Sequence, residues 1–377
     1  MSSALRLSGL IKSFCAHRSV SSCLEDARAG VPALDFTCVR PARSVLATAL
    51  NEHTDRTILY VTSTFREAEQ QAGELSSLLG EDNVCYYPAW ETLPHERLSP
   101  RSDTVGKRLA VLRRLCGNDE MPVPKVVVAP VRAMLQPQVS GLGAISPVKF
   151  EVGQEYPLDQ LAQDLVNASY ARVDLVERRG EFAIRGGIAD VFPPTLEHPV
   201  RVDFFGDEID SITFFSVADQ RSSDETIDEV VASPCRELLI TDDVRNRAAD
   251  LIETQPELSD MLGKIAEGQV AEGMESLLPA LVDKLELLVD VVPKDTLVLV
   301  ADPELVRTRA EDLIRTSQEF LHAGWAAAAD GGKAPIDLSA SAYQELADVR
   351  AHALSRGLGW WTPVSYTHLT LPTNREV

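Results

Sequence analysis

The chain is 377 residues long, 45% hydrophobic, and carries 36 basic against 57 acidic side chains, a net charge of −21. That length and apolar content suit two or three globular units, and the acidic balance excludes a general nucleic-acid clamp, which needs clustered Lys and Arg to release counterions. Six scattered cysteines, Cys15, Cys23, Cys38, Cys85, Cys116 and Cys235, form no C-x-x-C pair and read as reduced thiols rather than disulfides or zinc ligands. No apolar run reaches bilayer length and no signal-peptide pattern opens the chain, so the expected location is cytoplasmic, with no membrane partner.

In chain order, residues 1–30 carry weakly periodic helical signals, suited to a docking helix or a partly mobile segment. RTILYV at 56–61 reads as a buried strand, and STFREAEQQAGELSSLLG after it as a helix. NVCYYP and KVVVAPVRAML repeat the strand signal, the second running straight into a helix. Strands alternating with helices predict a parallel sheet covered on both faces, an α/β domain ending near Ile145. CVRPARSVLATALN at 38–51 lacks the glycines and the Lys-Ser/Thr pair of a phosphate loop; Arg40 and Arg43 could hold an anion, but nothing places magnesium beside them, and they read as a chance basic pair. GGK at 331–333 is followed by Ala and lacks the upstream glycine.

WETLPHE offers Glu91, His95 and Glu96, but no H-E-x-x-H or other metal or acid-base spacing. The structural reading is that Trp90 packs a loop against the sheet and Pro94 fixes its course. RLSPRSDTVGKRLAVLRRL contains no aromatic residue that would stack on single-stranded nucleic acid.

From Glu177 to Phe215 short β-rich runs (FAI, IADVF, VRVDFF, SITFF) alternate with Gly, Pro and Asp-Glu breaks, which predicts antiparallel strands joined by tight turns. LDQLAQDLVNASYARV before them is the helical lid, giving a compact α+β module over 146–230. Arg185 and Arg201 stand at strand ends, either as parts of a solvated sheet face or as guanidinium anchors for a protein partner with Phe205 beside them. In the second reading the two arginines project from adjacent strands as a cationic pair.

Further on, a helical stretch leads to TLVLVADPELVRTRAEDL, a strand followed by a helix with Asp302 as N-cap before Pro303. An Ala-, Gly- and Ser-rich connector precedes QELADVRAHALSRGLGWW, read as a helix. VSYTHLTLPTNREV at 364–377 has no hydrophobic period and resembles translated adaptor read-through, so the natural chain is expected to diverge near Pro363 and continue.

RGEFAIRGGIADVFPPTLEHPVRVDFFGDEIDSI with FSVADQRS, and YPAWETLPHERLSP with TVGKRLAVLRRL, resemble the N-terminal part of bacterial transcription-repair coupling factors and, more distantly, the excision-repair helicase subunit UvrB, over roughly residues 30–361. The resemblance implies an α/β fold: a degenerate helicase-like parallel-sheet domain (1–145) with an inserted small α+β module (146–230) that meets UvrA. It further implies a return to the first domain's sheet (231–325), then a linker and the start of the next region (326–363). The family's motif places its contact residues at Arg185, Arg201 and Phe205. It implies no catalytic, metal or cofactor residue in this fragment, which is then not itself an enzyme. ATP and magnesium belong to the motor of full-length relatives, and RNA polymerase and double-stranded DNA are met by domains outside this chain. Two other roles stay open: a UvrB-like ATP-dependent helicase subunit, which needs the missing phosphate loop and aromatic hairpin, and an autoinhibitory cover for the motor.

Overall fold

The computed structural model describes residues 4–93, 96–329 and 339–364; the tail at 365–377, GGK at 331–333, and Pro94 with His95 lie outside them. Four strands come first: β1 (Ala33–Thr37), β2 (Ile58–Thr62), β3 (Val84–Tyr86) and β4 (Val126–Pro130). After β5 (Gln138–Val139), the inserted module begins with seven strands: β6 (Val148–Glu151), β7 (Ala171–Arg172), β8 (Glu181–Arg185), β9 (Ile188–Val191), β10 (Val200–Phe205), β11 (Glu208–Phe215) and β12 (Ser222–Thr226). The series closes with β13 (Glu229–Ala232), β14 (Leu285–Glu286), β15 (Leu297–Val300) and β16 (Gly359–Val364).

The main sheet runs β1-β16-β15-β2-β4-β3 with every pairing parallel. Its inner strands β2, β4 and β15 are buried at every position because both faces are covered, and alternate residues enter opposite cores, whereas edge strand β1 leaves Ala33, Asp35 and Thr37 exposed. Leu59, Val61, Val127, Val298 and Trp360 join the core that includes helix Ser102–Leu115. Ile58, Tyr60, Val126, Leu299 and Trp361 join the other, with helices Arg43–Thr54 and Phe65–Leu79. Residues 4–28 form two helices, and Ile11, Leu24 and Ala27 are buried in this second core, so the amino-terminal segment docks on the domain.

Three local expectations are corrected. The helix read through Trp361 stops at Ser355, and the chain passes Gly357 into β16. Trp360 and Trp361 are both buried but in opposite cores, the period-2 signature of a strand buried on both faces rather than one helical face. The stretch predicted as a linker and the start of a new region therefore ends inside the main sheet, between β1 and β15, and β16 extends to Val364, opposite Thr37. Trp90 packs not on the sheet but into a helical cluster formed by residues 238–281, among Leu238, Leu262 and Met274.

The module's second sheet runs β12-β11-β10-β9-β8-β7, antiparallel except for the short β7–β8 pair. One face, with Phe182, Val191, Val200, Val202 and Ile212, is closed by helix Leu158–Asn167 through Leu161 and Leu165, and by the β6–β13 ribbon through Phe150 and Val230. The module seats on helix Ser102–Leu115 at Gly106. A Cβ there would lie 2.5 Å from the Cβ of Pro194, so only glycine admits the PPTLEHP loop at this distance.

A buried ion pair ties these parts together. Arg108 is fully buried and donates to both carboxylate oxygens of Glu237, to the Pro88 carbonyl at 2.8 Å and to Gln138 Oε1 at 3.0 Å. Its guanidinium lies 4.4 Å from the Tyr87 ring centroid, and Trp90 Nε1 donates to the same Glu237 at 3.0 Å. Removing one member of a buried pair strands the other, at a cost of about 3–5 kcal/mol. Arg108→Met should therefore lower the urea midpoint far more than Arg101→Ala, whose exposed pair with Asp103 is worth about 1 kcal/mol or less. Equal midpoints for the two variants would remove the pair from its organising role.

Candidate protein-docking face

Two sets of sequence-flagged residues fall in different places. The first lies at the carboxyl end of the main sheet, where open α/β sheets bind their ligands. Arg40 and Arg43 follow β1 at the start of helix Arg43–Thr54. Neither is a loose surface charge. Arg40 Nη2 is 2.7 Å from Asp302 Oδ2, and Arg43 Nη2 is 2.6 Å from Oδ1, with Arg43 2% exposed. Asp302 thus turns its carboxylate to the arginines, which corrects its expected use as an N-cap. The hydrogen bond from Arg43 holds the Asp302 carboxyl below its ordinary pKa, against the opposing effect of burial. Glu91 and Glu96 are likewise structural. Glu91 accepts from the Thr104 hydroxyl and the Arg101 backbone N–H, and Glu96 accepts from the Leu93 N–H.

The second set lies on the module's outer sheet face. The registers place Ala183, Asp190, Arg201 and Thr213 in one cross-strand row, and Arg185, Ile188, Asp203 and Ser211 in the next. Arg185 and Arg201 share this face but not adjacent strands, since β9 lies between them. Asp190 on β9 receives Arg201 in a two-pronged contact, Nε to Oδ1 at 2.7 Å and Nη2 to Oδ2 at 2.9 Å. The guanidinium also stacks 4.9 Å from the Phe215 ring centroid. The expected cationic pair is therefore not formed, because one of its two charges is already matched by a buried carboxylate.

Arg185 is exposed and donates from Nη2 to the Asp174 carbonyl at 2.7 Å, and no carboxylate neutralises it among the described residues. Phe205 is 83% exposed at the end of β10. The Phe204 N–H donates to the Gly187 carbonyl at 2.9 Å, which brings the β8–β9 and β10–β11 turns to the same end of the sheet, so Arg185 and Phe205 share that end. Gly206 supplies the positive φ of the second turn, and a bulge at Asp210 shifts the pairing from Asp203–Ser211 to Phe204–Ile209. Asp190 and Phe215 escaped the sequence reading. The signal for Asp190 was an acid inside the β-run IADVF, in a strand facing VRVDFF.

A family profile described as the UvrB interaction domain matches residues 148–238. A transcription-repair-coupling factor of Mycobacterium bovis is 50% identical over 354 residues, covering 89% of this chain and 29% of the relative. The Bacillus subtilis protein of that name is 32% identical over 298 residues, covering 74% and 25% of the two chains. That of Escherichia coli is 31% identical over 201 residues, covering 49% and 16%. The chain thus spans less than a third of the length of these relatives. Among the described residues no helix is long and apolar enough to cross a membrane.

Stability should separate the two arginines of the module. Arg201→Ala strands the buried Asp190 and should cost about 1–3 kcal/mol, whereas Arg185→Ala should stay within about 0.5 kcal/mol of the parent in urea titrations. For Asp302, a folded-state pKa below the unfolded value of about 3.9 means that its contribution is fully present above that pH and is lost as pH falls through the folded pKa. Asp302→Asn should therefore be less stable at pH 7 and lose less on acidification from pH 5 to pH 2. Parallel acid limbs for parent and variant would contradict this.

Proposed function

The chain corresponds to the N-terminal region of the transcription-repair-coupling factors, and from that premise we propose that its inserted module docks the excision-repair protein UvrA on the outer face of the β7–β12 sheet, without a catalytic step of its own. The observation that carries the proposal is Phe205, a large aromatic left 83% exposed at the same end of the sheet as the uncompensated charge of Arg185. The opposite face of the same sheet is fully used in the module's core. Exposed aromatics flanked by arginine are the residue types that dominate protein interfaces when buried by a partner.

Each residue has its own role in this proposal. Phe205 supplies apolar area, and Arg185 supplies a charge free to meet an acidic group. Arg201, held flat between Asp190 and Phe215 with Nη1 donating to the Gln220 carbonyl and to Ser222 Oγ, is fixed in orientation, which lowers the entropy lost on binding. On a chain of net charge −21 the unneutralised Arg185 offers an acidic partner group a point of attraction on this face. Recruitment to a stalled RNA polymerase, contact with double-stranded DNA, and the use of ATP and magnesium are assigned in this proposal to the remaining length of the full proteins. A helicase role for this region is disfavoured by the carboxylate already seated on Arg40 and Arg43. A covering role for the module would use the same face and so compete with UvrA.

Binding of the fragment and its variants to purified UvrA tests the proposal, with circular dichroism as the folding control. Phe205→Ala should weaken binding by about tenfold or more with little change in salt dependence. Arg185→Ala should weaken it comparably and flatten the salt dependence. Arg201→Lys keeps the charge but loses the two-pronged geometry, and should fall between parent and Phe205→Ala. Parental affinity in all three folded variants would place the contact elsewhere.

A further inference from the structure

The arginine clamp at the carboxyl end of the main sheet has the form of an occupied anion site. Two guanidinium groups from one loop, three residues apart, each take one oxygen of a single carboxylate, at 2.7 and 2.6 Å. This is how arginines grip two oxygens of a phosphate. A guanidinium buried like that of Arg43 requires an anion, because an uncompensated buried charge is strongly unfavourable. The anion comes from the far side of the sequence. Asp302 directly follows the segment in which Ala301 N–H bonds the Val61 carbonyl, and it adopts a left-handed backbone, φ 50°. For a residue other than glycine this conformation is costly and is kept only where surrounding contacts enforce it. Beside the carboxylate a cavity of about 80 Å³ remains, lined in part by Tyr60, Thr62 and Gln70.

We infer that Arg40 and Arg43 constitute an oxyanion-binding site whose resident ligand is the chain's own Asp302 carboxylate, standing in for a phosphate group. A mobile ligand is replaced by a tethered one, which never dissociates into solvent and fixes the loop after β1 to the end of β15. The domain then keeps the carboxyl end of its sheet clamped here whatever the phosphate or nucleotide concentration. A phosphate-type oxyanion gains access only when the carboxylate is removed.

The experiment is chemical rescue of the whole chain. Thermal midpoints are measured for the parent, Asp302→Ala, and the double variant Asp302→Ala with Arg43→Met, at constant ionic strength in chloride, inorganic phosphate, pyrophosphate or formate. Asp302→Ala should lose about 4 °C or more in chloride, and phosphate and pyrophosphate should each return at least half of that loss. The parent and the double variant should gain nothing from either anion beyond the chloride baseline. The inference is overturned if folded Asp302→Ala regains no stability in phosphate or pyrophosphate, if formate alone restores it, or if the double variant is rescued equally. Should Asp302→Ala fail to fold, Asp302→Asn, which keeps the side-chain shape and removes the charge, is read by the same criteria.

Discussion

The architecture depends on one buried charge. Arg108 reaches from helix Ser102–Leu115 into a space enclosed by the Tyr87 and Trp90 rings, and meets Glu237 just past the module's last strand. Its remaining donors go to Pro88 and Gln138, so four chain segments converge on one guanidinium. Such a pair does not maximise stability, since apolar residues of equal volume often do as well. Its value lies in specificity, because a wrong arrangement of the parts leaves a charge without water or partner. The module and the helical cluster around Trp90 are therefore registered against the parallel sheet by an electrostatic condition rather than by surface area alone.

The module illustrates a different economy. Its sheet spends one face on the module's main core, and its outer face holds a smaller apolar cluster, Ala183 and Phe215 with Val176 and Phe192, among organised polar side chains. Asp190 and Phe215 immobilise Arg201, while Arg185 and Phe205 remain accessible at the hairpin end. The same residue type thus serves two ends on one face, and the difference is set by whether a carboxylate stands opposite on the neighbouring strand. A docking surface built this way has rigid and adaptable points side by side, which suits selection of one partner surface over others.

Much of this was legible in the chain. The alternation in VRVDFF and SITFF, with glycines at the breaks, sufficed for the antiparallel sheet, and the apolar runs LYV and VVVA for the parallel one. What was missed depends on contacts distant in sequence. Arg108 occupies the apolar stripe of its own helix, in line with Val105, Leu109 and Leu112, and an arginine on such a stripe signals a buried partner. Glu237, 129 positions away, is not predictable from it. Asp302 carries the local pattern of an N-cap, D-P-E, yet its carboxylate is claimed by arginines near the other end of the chain. The pair Trp360–Trp361 reads as helix after AHALS, and only pairing with β1 and β15 makes it a strand.

The placement of β16 bears on how the protein is made. Among the described strands β1 has no neighbour except β16, and that neighbour begins at residue 359. During synthesis at about 5–20 residues per second, β1 waits roughly twenty seconds to a minute for its partner. The module, whose strands β8–β12 pair in succession and whose longest pairing joins β6 to β13, awaits contacts only within residues 148–232 and finishes within that interval. The insertion is thus born folded inside an incomplete host, and the host closes only when Trp361 arrives to donate its indole N–H to Val31.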